Sequence, residues 1–181
     1  MFKIKANDQV LAYSQLEVDI YDFGKRKEAN GTKEQQLTGV IGQNVVMQLF
    51  EQGYVDGSQG FDGGTDLVYN GKKIDVKTMG RTSEPRLEYV NNFIALQDYL
   101  ETDIYIFCSY NKSSSVVTIC GWLDKKTFKE RRTFYPKGTI RTRANNTTFE
   151  TKADLYEIEN YKLNDVTSIE DLKKQLKNLI K

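Results

Sequence analysis

The chain has 181 residues, with 26 Lys and Arg against 25 Asp and Glu, a formal net charge of +1 and no histidine. That length suits one domain, residues 1–181, with its own hydrophobic core. Histidine is the usual general base and the commonest metal ligand. Its absence excludes HNH-type nucleases, histidine phosphodiesterases, Ser-His-Asp hydrolases and His-dependent zinc sites. Any hydrolytic chemistry must rest on carboxylates, lysine and a hard cation held through oxygen.

No apolar run approaches the roughly 20 residues of a membrane helix. The opening MFKIKANDQV carries no apolar signal stretch. The expectation is a cytoplasmic protein with no membrane partner. Cys108 and Cys120 fall in apolar, strand-like stretches and match no metal or redox spacing, so both read as buried thiols.

In chain order, residues 1–33 are polar and mixed, with a Lys25-Arg26-Lys27 run and an Asn30-Gly31 step. From about Glu34 to Gln52, Leu37, Val40, Ile41, Val45, Met47 and Leu49 recur at three- and four-residue steps, which predicts a helix. A loop rich in glycine follows (Gly57, Gly60, Gly63, Gly64), then two short strands around Asn70-Gly71. Residues 90–100 read as helical, 103–110 and 114–121 as strands, 123–131 as a short helix and 153–159 as a late strand. Ser168 is placed to cap a closing helix with Leu172, Leu176, Leu179 and Ile180 on one face. The expected fold class is α/β (α+β), a central mixed β-sheet flanked by helices.

The segment that carries chemistry is TDLVYNGKKIDVKT, residues 65–78. Asn-Gly between two alternating runs predicts a hairpin with a two-residue turn. Tyr69 then faces Lys72, Val68 faces Lys73, Leu67 faces Ile74, and Asp66 faces Asp75. Strand alternation puts Lys77 on the face of Asp75 and turns Ile74 and Val76 the other way. Opposed aspartates repel unless something positive lies between them. A Mg²⁺ ion answers that need, since it takes carboxylate and carbonyl oxygens and keeps several waters.

Asp66, followed nine residues later by Asp75-Val76-Lys77, resembles the D…(D/E)xK signature of the PD-(D/E)XK, or restriction-endonuclease-like, nucleases, with Thr65 in place of the proline. The resemblance implies a restriction-endonuclease-like core. In it Asp66, Asp75 and the Val76 carbonyl would hold Mg²⁺, with Mn²⁺ as a substitute, and Lys77 would serve the nucleophile. Members also carry a helix before the first Asp, often with a glutamate at the site. LTGVIGQNVV matches it, with Gln43 at the glutamate position. Glu34 is a poorer substitute, nine residues and roughly half a turn away on the helix. NNFIALQ, DIYIFCSYN and ICGWLDKKTF are similar to the second half of small phage and restriction nucleases, so the resemblance covers about residues 36–160.

A DNA-binding surface is expected at residues 125–143. Lys125, Lys126, Lys129, Arg131, Arg132, Lys137, Arg141 and Arg143 there face only Glu130, with Phe128, Phe134 and Tyr135 interleaved. The leading expectation is a Mg²⁺-dependent endodeoxyribonuclease acting on DNA as a homodimer, because cutting both strands usually takes two sites. A restriction enzyme, a branched-DNA resolvase and a phage nuclease all stay open. So do an RNA substrate and a catalytically weak or inactive nuclease fold that binds DNA or a protein partner in an anti-defence or regulatory role.

Overall fold

The computed structural model describes residues 1–23, 31–59, 63–142 and 146–179. Strand β1 (Phe2–Lys5) leads to Asn7, whose side chain accepts the Val10 N–H and starts helix α1 (Asp8–Ile20). The sequence shows no apolar stripe here, and the packing explains why. Ser14 and Glu17 are buried along with Val10 and Val18. Ser14 accepts from the Asn44 side chain at 2.9 Å, and Glu17 accepts the Gly57 N–H at 2.7 Å. These polar interactions share the buried face of the helix with Val10 and Val18, which join the apolar core.

Helix α2 (Lys33–Leu49) agrees with the expected helix. Thr32 accepts the Gln35 N–H while the Gln35 side chain accepts the Thr32 N–H, a reciprocal cap. Strands β2 (Leu67–Tyr69) and β3 (Lys72–Arg81) flank Asn70 and Gly71, whose φ values of 48° and 73° make the two-residue turn. The pairs are Leu67–Ile74, Val68–Lys73 and Tyr69–Lys72, as expected. Helix α2 seats tightly on β3 at Gly42, where a Cβ would come within 1.9 Å of Thr78 Oγ1.

Residues 90–100 do not form a helix. Strand β4 (Val90–Ile94) occupies the first half and a single 3-10 turn, Ala95–Gln97, follows. Val90, Phe93, Ile94 and Leu100 mimic helical spacing, but burial alternates with Asn91 and Phe93 inward. Asn91 is an inward polar residue, satisfied by the Ile158 carbonyl and the Asn160 side chain. That buried amide hides the period of two.

Strands β5 (Ile104–Asn111) and β6 (Val116–Asp124) fall close to the expected spans, and every residue of β5 is buried. Asp124 caps α3 (Lys125–Arg131) through the Thr127 N–H. Then come β7 (Thr133–Tyr135), β8 (Ile140–Thr142), β9 (Thr148–Glu150), β10 (Leu155–Glu159) and α4 (Ile169–Asn178), the last capped by Ser168.

The main sheet has the order β1-β6-β5-β3-β2, with β3 and β5 parallel and the other neighbours antiparallel. A second sheet has the order β4-β10-β7, and β8 pairs with β9 in a ribbon. On one face of the main sheet Ile74, Val76, Ile104 and Ile106 pack with Ile41, Val45 and Val46 of α2 and Leu172 and Leu176 of α4. On the other face Tyr105 and Phe107 pack with Phe93, Phe128 and Ile158, between the two sheets and under α3. The expected mixed sheet with flanking helices is present.

Cys108 and Cys120 are both buried free thiols on opposite sides of the main sheet. Burial raises the Cys108 thiol and pushes Cys120 up to about 12. Among the described residues, no helix is long and apolar enough to cross a membrane.

Candidate active site

The hairpin register continues for three pairs and then changes at Asp66. Its backbone N–H donates to the Ile74 carbonyl at 2.9 Å, and its Oδ2 accepts the Val76 N–H at 2.6 Å. Asp66 therefore leaves the ladder instead of standing squarely across from Asp75. The Val76 carbonyl points to the same side of the strand as its N–H, toward the Asp66 carboxylate.

Alternation along β3 carries Asp75 and Lys77 to the face of Tyr105 and Phe107, between the two sheets. Lys77 Nζ lies 2.7 Å from Asp75 Oδ2, with side-chain exposures of 15% and 4%. The same ammonium donates to Gln97 Oε1 at 3.2 Å and sits 5.2 Å from the centre of the Phe93 ring. The positive charge that the sequence demands beside Asp75 is thus supplied by Lys77. A buried ion pair costs desolvation that its Coulomb attraction only roughly offsets.

The sequence places Gln97 on a helix after Lys77 and favours a structural role for it; the structure puts it in a 3-10 turn with its side chain on Lys77. Asp98, the next residue, holds Arg132 with two bonds of 2.7 and 3.0 Å.

Gln43 is half-buried on α2, next to Gly42, the residue at which the helix meets Thr78 of β3. Glu34 pairs with Lys112, whose backbone N–H bonds the Arg81 carbonyl at the far end of β3. The Lys112 ammonium holds the Glu34 carboxyl below the usual range.

The basic segment divides into two groups. Lys126, Lys129, Arg131 and Lys137 are exposed. Lys125 is turned in to the Leu100 carbonyl. Arg132 is 10% exposed, bound to Asp98 and stacked 3.4 Å from the Tyr156 ring centre. Arg141 pairs with Glu157 at 2.7 Å and lies 3.9 Å from the Tyr135 ring centre. Arg143 lies outside the described residues, as do Lys25, Arg26 and Lys27.

The groups that the resemblance implies as ligands, the Asp66 and Asp75 carboxylates and the Val76 carbonyl, are all oxygens. That set fits a small hard cation such as Mg²⁺ or Mn²⁺. Among the described residues, no group of three or more His, Cys, Asp or Glu could hold a metal ion. Mg²⁺ does not require one, since one or two carboxylates suffice with waters and substrate phosphates.

No protein-family model, curated protein or solved structure matches this chain.

Proposed function

We propose that the chain is a Mg²⁺-dependent endodeoxyribonuclease with a restriction-endonuclease-like core, active as a homodimer on DNA. The observation that carries this reading is the corner at Val76. The Asp66 carboxylate meets the strand there at 2.6 Å, one residue from a mostly buried Asp75–Lys77 pair held at 2.7 Å. Asp66, Asp75 and the Val76 carbonyl hold the cation, which when bound polarises a phosphoryl oxygen and lowers the pKa of a water.

Lys77 carries the remaining step. Asp75 and Gln97 fix its ammonium from two sides, so it is aimed before substrate arrives. A preorganised cation of this kind stabilises charge that develops on a transferring phosphate without reorganising at the moment of reaction. Lys126, Lys129, Arg131 and Lys137 face solvent, where they can meet the DNA backbone.

The second reading is a binding module on the same fold, for DNA or a protein partner in an anti-defence or regulatory role. It is favoured by the closure of the site: Asp75 is 3% exposed and already charge-paired. Supercoiled plasmid and a four-way DNA junction, each incubated with Mg²⁺, Mn²⁺ or EDTA, separate the readings. Nicked or linear plasmid with either metal and none with EDTA supports the nuclease. Cleavage confined to the junction makes it a resolvase, and intact substrates that are nonetheless bound leave the binding module.

A further inference from the structure

Tyr105 is wholly buried, yet among the described residues its hydroxyl has no hydrogen-bond partner. A buried donor left unmade is expensive to keep, and such groups persist where a partner arrives with function. Its position says which partner. Tyr105 is the register partner of Asp75 on the neighbouring parallel strand, so both side chains rise from the same face. Its ring is fixed by Phe93 at 5.3 Å and Phe128 at 5.0 Å between centres. The hydroxyl lies within the field of Asp75 and of Asp98, and burial first, then those carboxylates, keep it a neutral donor.

The cation that faces Asp75 from its own strand is Lys77. A divalent cation takes the other oxygen of that carboxylate while Lys77 keeps Oδ2, and the carboxylate, with about four lone-pair sites, can still take one more donor that fixes it in place. We propose that Tyr105 is the positioning residue for Asp75, its hydroxyl donating to that carboxylate, directly or through one water, when a divalent cation is bound at Asp66, Asp75 and Val76. The inference rests on the metal site of the proposed function and adds the group that holds its deepest ligand in place.

The test is Mn²⁺ titration by calorimetry on the full chain, with metal-free thermal melting, for wild type, Tyr105→Phe and Asp75→Asn. Phe preserves the ring packing and removes only the hydroxyl. Tyr105→Phe should melt at the same or a higher temperature without metal, while binding Mn²⁺ about fivefold more weakly, the effect of one net hydrogen bond. A structural hydroxyl would not change Mn²⁺ affinity. Wild-type affinity in Tyr105→Phe therefore overturns the proposal, and so does a lowered metal-free melting temperature, which would mean the hydroxyl is already bonded. Loss of Mn²⁺ binding in Asp75→Asn, with wild-type affinity in Tyr105→Phe, sinks this inference alone. Full Mn²⁺ binding in Asp75→Asn, or none in wild type, sinks the metal site and this inference with it.

Discussion

The Asp66 carboxylate stands where the next rung of the hairpin ladder would be, with its Oδ2 2.6 Å from the Val76 N–H. A side chain thus closes the strand pair at the point where β2 turns away, and the same carboxylate is left beside the Val76 carbonyl. Local folding and the proposed metal site use one group.

That double duty can be separated by substitution. Asp66→Ala leaves the Val76 N–H without its acceptor and should cost about 1 kcal/mol, the low end for a partly exposed group. Asp66→Asn keeps an acceptor oxygen and should cost less. Both should abolish plasmid cleavage. Urea denaturation of the metal-free proteins reads the first effect, and an Ala variant as stable as wild type would show that water replaces the carboxylate.

The Asp75–Lys77 pair changes what the sequence alone suggests about charge removal. Opposed aspartates would make Asp75→Asn neutral or stabilising, but Asp75 faces a lysine. Lys77→Ala leaves a carboxylate of 4% side-chain exposure without its ammonium. The expected cost is about 3 kcal/mol, and Asp75→Asn in the same chain should recover most of it. A double-mutant cycle by denaturation measures the coupling, and a value near zero would show the pair to be solvent-screened. Lys77→Ala should also slow cleavage by about a hundredfold or more while DNA binding with Ca²⁺ persists.

How much of this is legible in the residues follows from where the signals are local. Asn70-Gly71 dictates a turn with positive φ at both positions, so three strand pairs and the shared face of Asp75 and Lys77 can be read directly. Asp66 departs from that register because its carboxylate competes for a backbone N–H, which alternation does not reveal. Helix α1 and strand β4 are hidden by buried polar residues, Ser14, Glu17 and Asn91, each satisfied by a partner distant in sequence. Gln97 reaches Lys77 only through the second sheet, which depends on the pairing of β4 with β10. The basic segment looks uniform because its acidic partners, Asp98 and Glu157, lie outside it.

Arg132 should act on stability more than on DNA. Its hydrogen bonds hold the Asp98 carboxyl below the usual aspartate range. A depressed folded pKa contributes stability that is present above the unfolded value of about 3.9 and is lost as pH falls through the folded one. Arg132→Gln should therefore be less stable than wild type at pH 6, with the gap narrowing as pH drops below about 4. Denaturation midpoints across that range check it, and a pH-independent gap would assign the effect to the stacking on Tyr156.

Salt dependence distinguishes the two groups of basic residues. Replacing Lys126, Arg131 and Lys137 with alanine should flatten the dependence of DNA affinity on salt, by up to about 0.9 log units for each phosphate no longer neutralised. Arg141→Ala should instead destabilise the fold, since Glu157, with 5% side-chain exposure, loses its 2.7 Å partner. An unchanged slope in the triple variant would move the DNA path away from α3.

Two glutamines give the sharpest contrast. Gln43 occupies the position where the resembled family carries a glutamate, yet its helix packs on the β3 face of Ile74 and Val76. Gln97 comes from the other side and accepts from Lys77 at 3.2 Å. Gln43→Glu and Gln43→Ala should leave the Mg²⁺ concentration for half-maximal cleavage within about twofold of wild type, because one or two carboxylates with waters and substrate phosphates suffice for Mg²⁺. Gln97→Ala should leave that midpoint alone and lower the maximal rate about tenfold, by loosening one of the two groups that aim Lys77. Gln97→Glu, which keeps an acceptor and adds charge beside the ammonium, should restore part of the rate. A Gln43→Glu midpoint well below wild type would reverse the assignment, placing Gln43 at the metal and returning Gln97 to packing.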